Sequence, residues 1–193
     1  KNNSLVEKYY ILEKNLKIKE KFVKASKADI KIIRSFKTLK NLRFIEFPKP
    51  GLKILENIIK IISGTEGFLL MIDYGYTKPN NQNTLQSVIN HKKNDILDNL
   101  GKADITSHVN FSLLKEFFEK NHLKVKKTIT QKEFLENMGI IQRAQIIAKK
   151  MKFSDQSNLY LRLKRLLSSK SMGNLFKVIL AYNHKGKKNF GFN

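Results

Sequence analysis

The stretch Gly67-Phe68-Leu69-Leu70-Met71-Ile72-Asp73-Tyr74-Gly75-Tyr76 decides how the rest of the chain is read. Its apolar residues, Phe68 to Ile72, run unbroken and stop on a carboxylate. A short continuous apolar run bounded by turn formers reads as a strand covered on both faces, as in a parallel sheet. Upstream, Leu52, Leu55, Ile58, Ile59 and Ile62 keep the i, i+3, i+4 rhythm of an amphipathic helix that closes at Ser63-Gly64. Pro48, Pro50 and Gly51 break the chain ahead of that helix. Earlier still, Tyr9-Tyr10-Ile11-Leu12-Glu13 reads as a short buried strand that also ends on an acid. Strand, helix, apolar strand is an α/β pattern, and ligands of such sheets gather outside the carboxyl ends of the strands. Asp73 and Glu13 occupy two such ends, where water or a ligand can solvate their charge. The plainer alternative is that each acid only ends its strand and caps a turn.

The remaining segments are placed around this unit. Lys14 to Lys24 offers a polar helix with Leu16, Glu20 and Val23 on one face, and Ile30 to Phe36 a second short strand. Residues 77–110 form a polar connection too long for a turn, the kind of loop that covers active sites. Asn110 is placed to cap a helix from Phe111 to Asn121, with Phe111, Leu114, Phe117 and Phe118 inward. Leu123 to Thr130 alternates like a half-exposed strand. Helices are predicted over Gln131 to Met138, Ile140 to Met151 and Leu159 to Leu167, the first two parted by Gly139. Leu175 to Tyr182 is a final strand, and the residues from His184 onward a hairpin turn or tail. Neither an internal repeat nor a linker to a second domain is visible.

Composition bounds the function. The chain has 193 residues, 41% hydrophobic, with thirteen Phe, enough for a buried core. It lacks Cys, which removes disulfides and thiolate chemistry. Its longest apolar runs fall far short of the roughly 20 residues that span a bilayer. The net charge is +22, which suits a polyanion partner through counterion release. Only Arg34, Arg43, Arg143, Arg162 and Arg165 are arginine, however, and the lysines are spread evenly among Asn and Ile. Arg is the residue that reads phosphate or guanine in bidentate fashion. Solvated lysines are therefore the preferred reading, and nucleic acid the lesser one.

Simple catalytic motifs are absent. His91, His108, His122 and His184 include no pair at zinc-helix spacing, so no metal is expected. His91 and Asp95 stand four apart and could share one helical turn as a base pair, although such pairs are more often surface contacts. Neither a nucleophile elbow nor a phosphate-binding Gly-rich loop occurs.

A longer order of residues carries more. Asp73-Tyr74-Gly75-Tyr76, Thr84-Leu85-Gln86, His91, Asp95, Gly101 to Ser112 (GKADITSHVNFS), Gln131 to Leu135, Met138 to Arg143 and Met172 to Lys177 follow one another along the chain. This order resembles the MidA-like family of class I S-adenosylmethionine-dependent methyltransferases, over residues from about Phe44 onward and more loosely from Tyr9. The family includes the mitochondrial complex I assembly factor that dimethylates arginine, and bacterial relatives.

The resemblance implies a Rossmann-like class I methyltransferase sheet with helices on both faces, in a single partial domain over residues 1–193 with a long loop insertion at about 77–110. It implies S-adenosylmethionine as cofactor and an arginine side chain of a protein as methyl acceptor, linked in the family to respiratory complex I assembly. Glu13 becomes the acid that accepts both ribose hydroxyls, a task that suits an acceptor-only carboxylate. Asp73, Tyr74 and His91 become catalytic candidates, and Asp104 and Thr106 substrate-binding ones, since an arginine site needs carboxylates to hold and neutralise the guanidinium. The same positions could equally form a structural loop network. The family's Gly-rich first motif should precede the Glu13 strand, where only eight residues stand, and Lys37 to Leu42 is too short for its Asn-Glu-Phe-Phe-Asp-like segment. An N-terminal part is therefore expected to be missing. An inactive relative that serves as a binding or assembly module is the alternative. A bacterial cytoplasm is the expected location, with the mitochondrial matrix as runner-up, and the oligomeric state is left open.

Overall fold

The computed structural model describes residues 4–15, 17–79, 81–183, 191 and 192. In chain order the strands are β1 (Val6–Leu12), β2 (Ile18–Lys24), β3 (Phe68–Tyr76), β4 (Gln86–Ile89), β5 (Lys92–Asn94), β6 (Asp104–Thr106), β7 (Val109–Asn110), β8 (Lys124–Val125), β9 (Ile129–Thr130) and β10 (Phe176–Tyr182). The helices are α1 (Lys27–Ser35), α2 (Lys49–Gly64), α3 (Phe111–Lys120), α4 (Gln131–Asn137), α5 (Ile140–Ala148), α6 (Phe153–Leu167) and α7 (Met172–Leu175). A single 3₁₀ turn covers Lys37–Leu39. Contacts group the chain into two compact units, one of residues 1–47 with 80–107, the other of residues 48–79 with 108–193. Of the expected tail from His184 onward only Gly191 and Phe192 are among the described residues.

The second unit holds the main sheet. Its strand order is β7-β3-β10-β8, with β9 also paired to β10. β10 runs antiparallel to β3 along seven residue pairs, from Phe176↔Tyr74 to Tyr182↔Phe68, and antiparallel to β8 and β9 on its other side. β3 pairs in parallel only with the short β7, through Gly75↔Val109 and Tyr76↔Asn110.

Val178 and Leu180 face a cluster of Ile129, Phe134 and Phe192, in which the Phe134 and Phe192 rings lie 5.7 Å apart. Ile179 and Ala181 alternate to the other face and are equally buried. α3 packs against β3, β8 and β10, with Phe111, Leu113, Leu114, Phe117 and Phe118 buried.

The first unit is built from two small sheets and a helix. β1 and β2 form an antiparallel ribbon in register from Val6↔Lys24 to Leu12↔Ile18. β4 sits between β5 and β6, antiparallel to both. Glu46 ties two distant stretches of this unit together: its carboxylate accepts from the backbone N–H of Thr84 at 2.8 Å and from its hydroxyl at 2.5 Å. Asn81 Oδ1 accepts from the N–H groups of Arg43 and Phe44.

Three sequence expectations are overturned in this unit. Tyr9–Glu13 is not a buried strand of the main sheet: it lies in the β1–β2 ribbon, where Leu12 is 66% exposed. Lys14–Lys24 is not a helix but the ribbon's turn and second strand; Asn15 Oδ1 accepts from Lys17 N at 3.0 Å, and the alternation of Ile18-Lys19-Glu20-Lys21-Phe22 suits an extended chain. Leu16 of that expected helix lies outside the described residues. Residues 30–36 are mostly helix α1 instead of a strand. Ser26 starts it by accepting from Asp29 N at 3.0 Å, and Ile30, Ile33 and buried Phe36 recur at helical spacing.

The other expected helices and strands of the second unit are present, but α6 starts six residues before the expected Leu159, the expected strand Leu123–Thr130 is reduced to the short β8 and β9, and β3, expected in a parallel sheet, pairs mainly antiparallel with β10. α2 begins on Pro50 in its first turn, where no N–H donor is needed. Asn110 Oδ1 caps α3 by accepting from Leu113 N at 3.1 Å. Gly139, at φ +77°, turns the chain between α4 and α5.

Gly75 is required for another reason. A Cβ there would lie 2.1 Å from the Val109 carbonyl oxygen and 2.9 Å from the Phe111 ring, so only glycine lets β3 and β7 meet. Gly75→Ala is expected to lower stability by about 3 kcal/mol or more by forcing this backbone contact apart. Gly64→Ala, with nothing within 4 Å of its Cβ, should instead be neutral or stabilising by up to about 1 kcal/mol. Urea denaturation of both variants checks the pair. In the same assay Asn110→Ala should cost about 1 kcal/mol through loss of the α3 cap.

Candidate functional site

The carboxyl end of β3 gathers the most chemistry in the second unit. Asp73 is half-buried, and its Oδ1 accepts from the backbone N–H of Tyr74 at 2.8 Å. Across the strand pair Asp73 stands opposite Lys177, and Tyr74 opposite Phe176. The Lys177 ammonium donates to the Asn174 carbonyl. Its burial disfavours the charged form and lowers its pKa from the ordinary lysine value.

The Tyr74 ring is held between two others. Phe176 meets it edge-on at 5.5 Å and 80°, and His108 at 5.5 Å and 73°. Such edge-to-face contacts fix a ring's plane as well as its position. Nearby, Ser112 donates its hydroxyl to the Thr77 carbonyl and ties the start of α3 to the chain leaving β3. Because successive strand residues alternate faces, Asp73 and its partner Lys177 belong to one face of the sheet, and Tyr74 with Phe176 and His108 to the other. On its own face the Asp73 carboxylate can bind a cation and accept its hydrogen bonds.

The other predicted site residues lie in the first unit. Glu13 follows β1 at the closed end of the ribbon, where its carboxylate pairs with Lys19 at 2.9 Å. The strand-end argument for its cofactor role therefore fails, because its strand belongs to an antiparallel ribbon.

His91 and Asp95 do not share a helical turn. Asn90 and His91, at φ +50° and +61°, form the two-residue turn between β4 and β5, a geometry that right-twisted hairpins favour. Asp95 Oδ1 accepts from Leu97 N at 2.9 Å, and Asn94 bonds Ser87, Asn99 and the carbonyls of Asp95 and Asp98.

Asp104 and Thr106 stand two apart on β6, opposite Val88 and Gln86, and so share one face of the small sheet. His108 was passed over in the sequence because, without metal spacing, nothing distinguished it from the other histidines. Its two-residue distance from Asn110, the α3 cap, was the available clue.

A cleft of about 430 Å³ opens between α5 and α6, lined by Gln142, Gln145, Ile146, Lys149, Gln156 and Tyr160 among others. It has no carboxylate, so it suits neither a guanidinium nor a ribose. Among the described residues no group of three or more His, Cys, Asp or Glu could hold a metal ion, and no helix is long and apolar enough to cross a membrane.

Known proteins give the constellation a context. Residues 2–129 match a family model described as "Putative S-adenosyl-L-methionine-dependent methyltransferase". Similar curated proteins include the Caenorhabditis elegans protein arginine methyltransferase NDUFAF7 homolog, mitochondrial, 30% identical over 131 residues. That match covers 68% of this chain and 30% of the relative. The Homo sapiens protein arginine methyltransferase NDUFAF7, mitochondrial, is 30% identical over 133 residues, with the same two shares. This chain thus spans about a third of the length of these relatives. A Burkholderia thailandensis crystal structure bound to S-adenosyl-homocysteine has the same fold, with a TM-score of 0.78 and 20% identity over 98% of this chain and 50% of its own. A second structure from that organism gives a TM-score of 0.77 over 97% of this chain. The family match spans most of the chain, and the chain belongs to the MidA-like S-adenosylmethionine-dependent methyltransferase family that its motifs resemble.

Proposed function

We propose that the protein methylates arginine side chains of a protein substrate with S-adenosylmethionine as the methyl donor, and that this chain carries the acceptor side of the reaction. The observation that carries the reading is the family match, together with relatives named as protein arginine methyltransferases. The carboxyl end of β3 supplies chemistry that agrees with it. Arginine keeps its charge above pH 12 in water, so an enzyme that uses one of its nitrogens as a nucleophile must hold and partly neutralise the guanidinium. Asp73 offers the carboxylate for that purpose. Tyr74, held by edge contacts from His108 and Phe176, belongs to the opposite face of β3.

In this reading His108 replaces His91, which is taken up by a hairpin turn. Asp104 and Thr106 keep a substrate-contacting role. The ribose-binding role passes from Glu13, paired with Lys19, to a residue outside the described ones. The family's link to complex I assembly supplies the class of acceptor, a protein of the respiratory machinery. Composition supports a bacterial cytoplasm, and the mitochondrial relatives support the matrix.

The test is methyl transfer from labelled S-adenosylmethionine, followed by acid hydrolysis and identification of methylated arginine. In the cofactor-competent protein, Asp73→Asn is expected to lower turnover about a hundredfold, within the range for a positioned proton acceptor, with the melting temperature little changed. Label found on lysine or a nucleic acid, or none on any acceptor, would overturn the reading; the last result would assign the chain to the inactive binding module.

A further inference from the structure

α5 and α6 pack on each other, yet neither is sealed into the core. α6 buries none of its residues fully, and α5 only Ala144 and Ala148. The two helices leave Ile141, Ile146, Ile147, Phe153, Tyr160 and Leu161 in solvent, with exposure of 62% at Ile146 and 84% at Phe153. A cluster of large exposed apolar side chains marks an interaction surface. The cleft within it follows the helix period. Gln142, Gln145, Ile146 and Lys149 stand at i, i+3, i+4 and i+7 and line it from α5, with Gln156 and Tyr160 lining it from α6. The Gln156 amide donates to the Ala148 carbonyl at 3.1 Å and to the Met151 carbonyl at 3.2 Å. These bonds satisfy acceptors at the end of α5 and fix α6 against it, so the groove is preformed.

Charge identifies the occupant. From Ile140 to Leu167 the sequence has seven cations, three of the chain's five arginines and four lysines, against the single acid Asp155. None of the seven enters an ion pair among the described residues, whereas Lys115, Lys120 and Lys132 on α3 and α4 each face a glutamate. Apolar anchors set among unpaired cations fit a helix with an apolar stripe and carboxylates beside it. A phosphate backbone would use the cations but leave Ile146 and Ile147 without a partner. A lipid surface would take water from the Gln142 and Gln145 amides and offer no hydrogen bond in return. We propose that the groove between α5 and α6 docks an acidic amphipathic helix of a partner protein. The proposal is independent of the arginine reading, because α5 and α6 carry none of the residues at the end of β3.

The probe is a fluorescein-labelled peptide of about four helical turns, with leucine at i, i+3, i+4 and i+7, glutamate on the flanks and alanine elsewhere. Mixed with the chain of residues 1–193 at physiological salt, it should bind one-to-one by fluorescence anisotropy and gain helix by circular dichroism. A scrambled peptide of equal composition keeps the charge, loses the stripe and should bind about tenfold more weakly. Ile146→Ser should weaken binding of the first peptide about tenfold. Ile61→Ser, on α2 at 69% exposure, should leave it unchanged, with melting temperatures showing that both variants are folded. Lys149→Glu should weaken the glutamate peptide and strengthen one whose stripe is flanked by lysine. No binding, equal binding of the scrambled peptide, or an affinity untouched by Ile146→Ser and Lys149→Glu overturns the proposal. So does displacement of the peptide by a lower concentration of oligouridylate or of phosphatidylglycerol vesicles, which would give the surface to nucleic acid or to membrane. A homodimer that excludes the peptide overturns it as well, because a second copy would then fill the groove.

Discussion

The second unit depends on one strand. β10 is bonded on both sides, to β3 and to β8 with β9, and its four central residues are shut off from water. One face of it carries the Phe134–Phe192 cluster, and α3 packs across the sheet it joins. Its register with β3 also determines the candidate site. Pairing Phe176 with Tyr74 places the two rings together, and pairing Lys177 with Asp73 sets these two residues opposite each other on the strands. A slip of one residue would turn every β10 side chain to the opposite face and dismantle both the core and the site together.

The parts of the fold that could be read from the sequence were those with a strong period or a local cap. α2 carried an i, i+3, i+4 stripe, α3 had Asn110 ahead of Phe111, Phe117 and Phe118, and β3 and β10 each held an apolar run, Phe68 to Ile72 and Val178 to Ala181. Two N-terminal errors come from ambiguous periods settled by local hydrogen bonds. In 14–24 lysines leave few apolar residues to define a period, in 30–36 the apolar Ile30, Ile32, Ile33 and Phe36 suit a strand or a helix, and hydrogen bonds at Asn15 and Ser26 decide. Tyr9 to Glu13 misled for the opposite reason: it has the composition of a buried strand but lies in a ribbon whose only strand partner is β2. At the site, Asp73 and Tyr74 were legible because they directly follow the apolar run of β3. His108 was not, since its contact with Tyr74 depends on β7 running alongside β3, and Glu13 was lost with the strand that was supposed to present it.

The charge has a similarly local explanation. Lys8 bonds Glu20 across the ribbon, which raises its pKa, and its ammonium lies 5.0 Å from the centre of the Tyr10 ring. Lys115, Lys120 and Lys132 each face a glutamate one helical turn away. Exposed pairs of this kind stabilise a helix by only a few tenths of a kcal/mol. The lysines therefore serve mainly to keep the helices solvated, and the scarcity of arginine agrees with that role.

The pairing of β10 with β3 joins residues roughly a hundred positions apart, a separation that slows folding because the intervening loop must close first. On a ribosome, β3 emerges long before the strand that shields one of its edges. Until then a newly made chain presents Phe68 to Ile72 to solvent, an interval in which association with other chains competes with folding.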